Sequence, residues 1–184
     1  CRNNLKQLGT AINNFQIAYQ YVPTGYVGPN PQAAIAGTQG SFIGVLAQLL
    51  PHMEQIPLFK RIPIGMLDIN ASPTVEWFAD PATFAVSQAR LSAFICPSTD
   101  PYDAASGIIS RLNMYPTVMG GTLEVRTLGT SPTIGGTNYF GSAGYFGTVP
   151  GFTANRGLFG NRTRLDFRDC KDGTSTVLLM GESI

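Results

Sequence analysis

Near its start the chain places Leu5, Leu8, Ile12, Phe15 and Tyr19 at alternating steps of three and four residues. That spacing lines one side of an α-helix with apolar groups, because 3.6 residues complete a turn. Such a stripe has to be buried, so the rest of the chain must offer it an apolar surface. Gly9, in the middle of the stretch, costs about 1 kcal/mol relative to Ala, so the helix depends on packing. Arg2 and Lys6 fall in what would be the first turns, where the helix dipole disfavours cations by roughly a few tenths of a kcal/mol each. Asn3 and Asn4 can act as local caps, but the charge placement favours a helix that continues upstream. Residues 1–22 are then the C-terminal half of an N-terminal helix that Pro23 and Gly25 end.

Further along, residues 26–40 hold Gly, Pro, Asn, Gln and Ala without periodicity and read as a loop. Residues 41–62 are apolar at helical spacing, interrupted by Pro51 and Pro57, which predicts two short helices with Pro51 near a first turn. A second helical pattern covers residues 80–94. From residue 108 onward, short β-like runs alternate with Gly, Ser, Thr and Pro, and the run 176–180 (TVLLM) reads as a buried strand. So soon after that run the text stops, and the sequence is expected to continue beyond residue 184. The order predicts an α+β fold in one domain, 1–184, with a mainly helical insertion at 41–95 and a mainly β part at 108–184.

Composition narrows the function. Charged residues are 12% of the 184, about half the usual share. Twelve Lys and Arg stand against eleven Asp and Glu, so the basic excess that phosphate neutralisation requires is missing, and no nucleic-acid partner is expected. His52 is the single histidine, which rules out multi-histidine metal sites and imidazole relays. Its neighbour Glu54 points elsewhere on a helix and makes a poor acid–base partner. With no nucleophile–base spacing in view, the chain is not expected to be an enzyme. Gly135-Gly136-Thr137-Asn138 and residues 141–147 lack the spacing of a phosphate-binding loop and read as turns.

Four features hold chemistry in reserve. Asp166, Asp169 and Asp172 form the one acidic cluster. Converging carboxylates can hold calcium, which is the cofactor this cluster would take. Against that, the spacing is not that of an EF-hand, Arg162, Arg164, Arg168 and Lys171 lie alongside, and an Asx-type turn at Asp172 accounts for the string. Cys1, Cys96 and Cys170 allow a disulfide of Cys96 with Cys1 or with Cys170 in an exported protein, or three buried thiols; the odd count decides nothing. Trp77, Phe78 and Tyr102 suit a core or interface better than a ligand pocket. Asn70-Ala71-Ser72 and Asn161-Arg162-Thr163 match the glycosylation sequon, which matters only in a eukaryotic secretory setting.

Several strings, taken in order, resemble a known family. The opening CRNNLKQLGTAINNFQIAYQYVPTG is similar to the segment that follows the hydrophobic N-terminal stretch of prepilin-like proteins abundant in planctomycetes. That family is described mainly as a domain of unknown function with a prepilin-type cleavage and methylation signal. Its Leu-Leu-Pro-Tyr-Leu-Glu-Gln string is matched by residues 49–55, and its Phe-x-Cys-Pro-Ser string by residues 94–98. Its Asn-Tyr-x-Gly-x-Ala-Gly string is matched by residues 138–144, and Arg156-Gly157-Leu158-Phe159 stands for its Asn-Gly-x-Phe string. Residues 172–182 (DGTSTVLLMGE) match its Asp-Gly-Thr-Ser-Asn-Thr string except for the Asn, since Thr176 follows Ser175 directly. The family's membrane-spanning helix and its late string, a His before Asp-Gly, are not in the sequence.

The resemblance implies a type IV pilin-like fold in which Leu5, Leu8, Ile12 and Phe15 pack an N-terminal helix on an antiparallel sheet. It implies an exported pilin-like or pseudopilin-like subunit, extracytoplasmic and held at the inner membrane by the upstream segment. The partners would be other pilin-like subunits or secretion machinery. The alternative is an extracytoplasmic module binding a small solute or glycan.

Overall fold

In the computed structural model the described residues are 1–29, 40–71, 74–99, 102, 107–117, 120–131, 133–144, 154, 156–171, 173–175 and 177–182. Helix α1 (Arg2–Tyr19) buries Leu8, Ala11, Ile12 and Phe15 on one face, with Leu5 at the rim of the same core. Its other side is open, and Ile17 is 69% exposed. Gln20 ends the helix by turning left-handed, φ 65°, and donating its N–H to the Gln16 carbonyl.

The chain then runs extended through residues 22–28, and Val22, Pro23, Thr24 and Val27 are buried almost completely. Buried backbone has to find partners, and several are contributed by distant parts of the chain. Val22 N–H donates to the Leu165 carbonyl at 2.7 Å and Gly25 N–H to Gly160 at 2.9 Å. Val27 exchanges bonds with residues 42 and 43 on the other side, donating to the Ile43 carbonyl and accepting from Phe42 N–H. Thr24, between them, is served by a side chain: its N–H donates to Gln48 Oε1 at 3.2 Å, and its carbonyl accepts from Gln48 Nε2 at 2.9 Å. Gly25 is required by proximity, since a Cβ there would lie 2.3 Å from the Phe159 carbonyl oxygen.

Residues 45–94 are chiefly short helical pieces: α2 (Val45–Leu49), a 3₁₀ turn Leu50–Met53, α3 (Ile56–Phe59), a 3₁₀ turn Ile64–Met66, α4 (Pro81–Ser87) and a 3₁₀ turn Ser92–Phe94. Pro51, Pro57 and Pro81 each sit in a first turn, where a missing N–H costs nothing. Asp80 caps α4 by accepting from Thr83 N–H at 2.7 Å. A second, smaller core of Ile43, Leu50, Ile62 and Met66 lies under these pieces.

Among the described residues the strands form two antiparallel pairs: β1 (Gly107–Thr117) with β2 (Gly120–Ser131), and β3 (Tyr139–Gly141) with β4 (Met180–Glu182). The longer pair is a hairpin ladder with a register shift between Ile109 and Ser110. The fold is therefore α+β. Among the described residues, the strands that share a core with α1 are those of the short pair β3–β4. A strand of three residues spans about 10 Å, whereas α1 spans about 27 Å, so β3 and β4 cannot cover it. The helix face is shared among Val45 and Leu49 of α2, Tyr139 and Met180 of the small sheet, and Leu158 and Phe159. The strand expected at 176–180 begins only at Met180, and Leu178 is 69% exposed. The β3 register runs from Tyr139–Glu182 to Gly141–Met180, and Ser142 N–H continues it with a bond to the Leu179 carbonyl at 2.8 Å. Thr176, and residues 30–39 of the expected loop, lie outside the described residues.

Replacing Gln48 with Leu keeps the bulk of the side chain and strands the Thr24 N–H and carbonyl. Each orphaned group costs about 1–3 kcal/mol, so Gln48→Leu is expected to lower stability by at least about 2 kcal/mol in urea unfolding, with an unchanged m-value.

Candidate functional site: a disulfide node at the foot of the helix

Cys1 and Cys96 are joined by a disulfide, with Cα atoms 4.7 Å apart, while Cys170 is a free thiol that burial pushes up in pKa. Cys96 is buried and Cys1 is partly open. Polar contacts hold the same two backbones in place. Asn4 Nδ2 donates to the Ser92 and Ile95 carbonyls at 3.0 and 2.8 Å. Cys96 N–H donates to Asn138 Oδ1 at 2.8 Å, and Asn138 N–H to the Phe94 carbonyl at 3.0 Å. Tyr139 OH reaches the Cys1 carbonyl at 3.4 Å, and Cys1 Sγ lies 3.7 Å from Ser98 Oγ. Burial raises the Tyr139 phenol, the hydrogen bond from Asn4 opposes that, and the charge of Glu182 adds to it. The two sulfurs and a carboxylate oxygen of Glu182 all lie within 4.8 Å of one another.

The node collects residues from four distant parts of the chain. Asn138, Tyr139 and Glu182 have no signal of their own in composition or periodicity, and Asn4, a candidate local cap, instead donates to the Ser92 and Ile95 carbonyls while α1 has no side-chain cap. Each lies within or beside a string that carried the family resemblance, and the fold brings these strings to one place.

Asp166 and Asp169 sit elsewhere. They form a capping box on a 3₁₀ turn, Phe167–Asp169: Asp166 Oδ1 accepts from Arg168 N–H and Asp169 Oδ2 from Asp166 N–H at 2.8 Å. The Arg168 guanidinium binds the remaining Asp166 oxygen and holds its carboxyl below the usual range. Both carboxylates are thus engaged by protein donors; Asp172 lies outside the described residues. Trp77 packs on the second core and stacks near Phe84 with ring centroids 6.4 Å apart, and Arg90 covers the Tyr102 ring at 3.9 Å.

Arg162, Asn161 and His52, each named in the sequence for another reason, are engaged elsewhere in the fold. Arg162, left-handed at φ 53°, sends Nε to the Gly28 carbonyl at 2.7 Å and one terminal nitrogen to the carbonyls of Ile69 and Ala71. Desolvation lowers its pKa, and the charge of Asp68 opposes the shift. Asn161 of the sequon is spent on Gly28 N–H and the Pro29 carbonyl. His52 packs edge-on to Phe15 and Tyr19, at 5.5 and 6.1 Å between ring centroids, and its buried Nε2 has no partner among the described residues. Burial holds its pKa below 6.5.

Two measurements check this account. The disulfide closes a loop with a sequence separation of 95 residues. The Cys1→Ala/Cys96→Ala double variant is expected to lose about 4 kcal/mol in guanidinium unfolding. For His52 the folded pKa is depressed, so the unfolded chain binds the proton more tightly. Its contribution is fully present above pH 6.5 and is lost as pH falls from there toward the folded pKa. His52→Phe is expected to flatten that part of the stability profile, by no more than the equivalent of one proton.

Among the described residues, no helix is long and apolar enough to cross a membrane. No curated protein and no solved structure matches the chain. The model of one family, described as a protein of unknown function (DUF1559), matches residues 1–184. From its first residue to its last, the chain belongs to that family.

Proposed function

We propose that the chain is the globular head of an exported pilin-like or pseudopilin-like subunit, of the planctomycete prepilin-like kind, with a structural or interaction role and no catalytic one. One observation carries the reading: an amphipathic helix whose apolar face is sealed into the head and whose first described residue is covalently bonded to a turn 95 residues away. A subunit anchored through a segment upstream of α1 passes load from that helix into its head. A disulfide at the junction carries such load without depending on hydrogen bonds that open and close. The bond also suits an oxidising, extracytoplasmic location, where disulfides persist. Partners in this reading are other pilin-like subunits or secretion machinery.

The test uses the full-length gene product in its own host, tagged on the head. The expected result is a membrane-associated protein outside the cytoplasm, with Cys1 and Cys96 oxidised, that is shortened by prepilin peptidase. A cytoplasmic, unprocessed protein with reduced cysteines would overturn the proposal.

A further inference from the structure

We propose that the node has a second chemical state: once the Cys1–Cys96 bond is reduced, the two sulfurs and Glu182 form a site for a soft divalent metal of the zinc class. The disulfide and the metal exclude one another there.

The inference starts from what survives reduction. Asn4 ties the helix foot to the Ser92 and Ile95 carbonyls, Asn138 holds the Cys96 amide, and Tyr139 OH reaches the Cys1 carbonyl. None of these contacts uses the sulfur–sulfur bond, so in the folded reduced chain they keep the two thiols adjacent. Glu182 remains with them, its carboxylate within 4.8 Å of both sulfurs. Two thiols and a carboxylate that close together cannot all ionise cheaply. A divalent cation relieves that repulsion by displacing the thiol protons. Zinc takes thiolate at about 2.3 Å and carboxylate at about 2.0–2.2 Å in a tetrahedron, so three ligand atoms this close need only small side-chain rotations. Cys1 is partly open to solvent, which gives the ion its approach, and Ser98 Oγ or water can fill the fourth position.

The steps balance with a dithiol as reductant. It passes two electrons and two protons to the sulfur–sulfur bond, which breaks to two thiols while the reductant becomes a disulfide. Metal binding forms two metal–sulfur bonds and releases both thiol protons.

The probe is Co²⁺, added to the anaerobically reduced protein after removal of the reductant. One equivalent is expected to give thiolate-to-cobalt charge-transfer absorption and the intense visible bands of a tetrahedral ion. Cys96→Ser should abolish the charge transfer, and Cys170→Ser should leave it. Glu182→Gln, folded and oxidised before reduction in the same way as the parent, should weaken binding about tenfold or more. Should reduction unfold the chain, one equivalent of Zn²⁺ is expected to restore its circular dichroism. The proposal fails if reduced, folded protein shows no charge transfer at equimolar cobalt, if Zn²⁺ does not refold an unfolded reduced chain, if Cys96→Ser keeps the signal, or if Glu182→Gln binds as tightly as the parent.

Discussion

An extended segment, residues 22–28, runs through the interior with nearly all of its surface withdrawn from water, and the architecture is arranged around its backbone. Hydrogen-bonding groups buried without partners would cost more than the burial of Val22 and Val27 returns. Partners therefore come from three directions: the carbonyls of Gly160 and Leu165, the chain at residues 42 and 43, and the amide of Gln48. Those requirements fix where the loop at 158–165 lies and how α2 is rotated. Thr163 adds to the same lock, donating its N–H to Thr24 Oγ1 at 3.1 Å.

The second constraint is covalent. The Cys1–Cys96 bond pins the start of α1 to the turn at 92–98, and Asn138 extends the tie to the start of β3. Tyr139, 1% exposed, belongs both to this node and to the principal core, so the polar fastening and the apolar packing share a residue. The small β3–β4 pair, the helical pieces and the loop at 158–159 each cover part of α1.

Much of the local structure is legible because it is written in neighbouring residues. The stripe of α1 and the proline-started helical pieces follow from spacing and capping rules. The long hairpin was visible only as scattered β-like runs, since nothing in them fixes a register. The extended segment at 22–28 was missed from Tyr26 onward: its residues carry no alternation, because a strand buried on both faces has no polar side to alternate with. The acidic string at 166–172 reads as a turn more readily than as a ligand set, and Asp166 and Asp169 do form a local cap, since Arg168 and the local amides lie within three residues and reach their carboxylates.

What the sequence alone determined is whatever depends on a few consecutive residues: the buried face of the first helix and the starts of the short ones. Only the tertiary structure decided which cysteine pairs with Cys96, that Glu182 stands beside that pair, that Gln48 closes the gap at Thr24 and that Arg162 clasps the carbonyls of Gly28, Ile69 and Ala71. Periodicity reports how a residue sits on its own element. Which distant element it meets is set by the packing of the whole chain, where one buried polar group must be answered by another that sequence order does not locate.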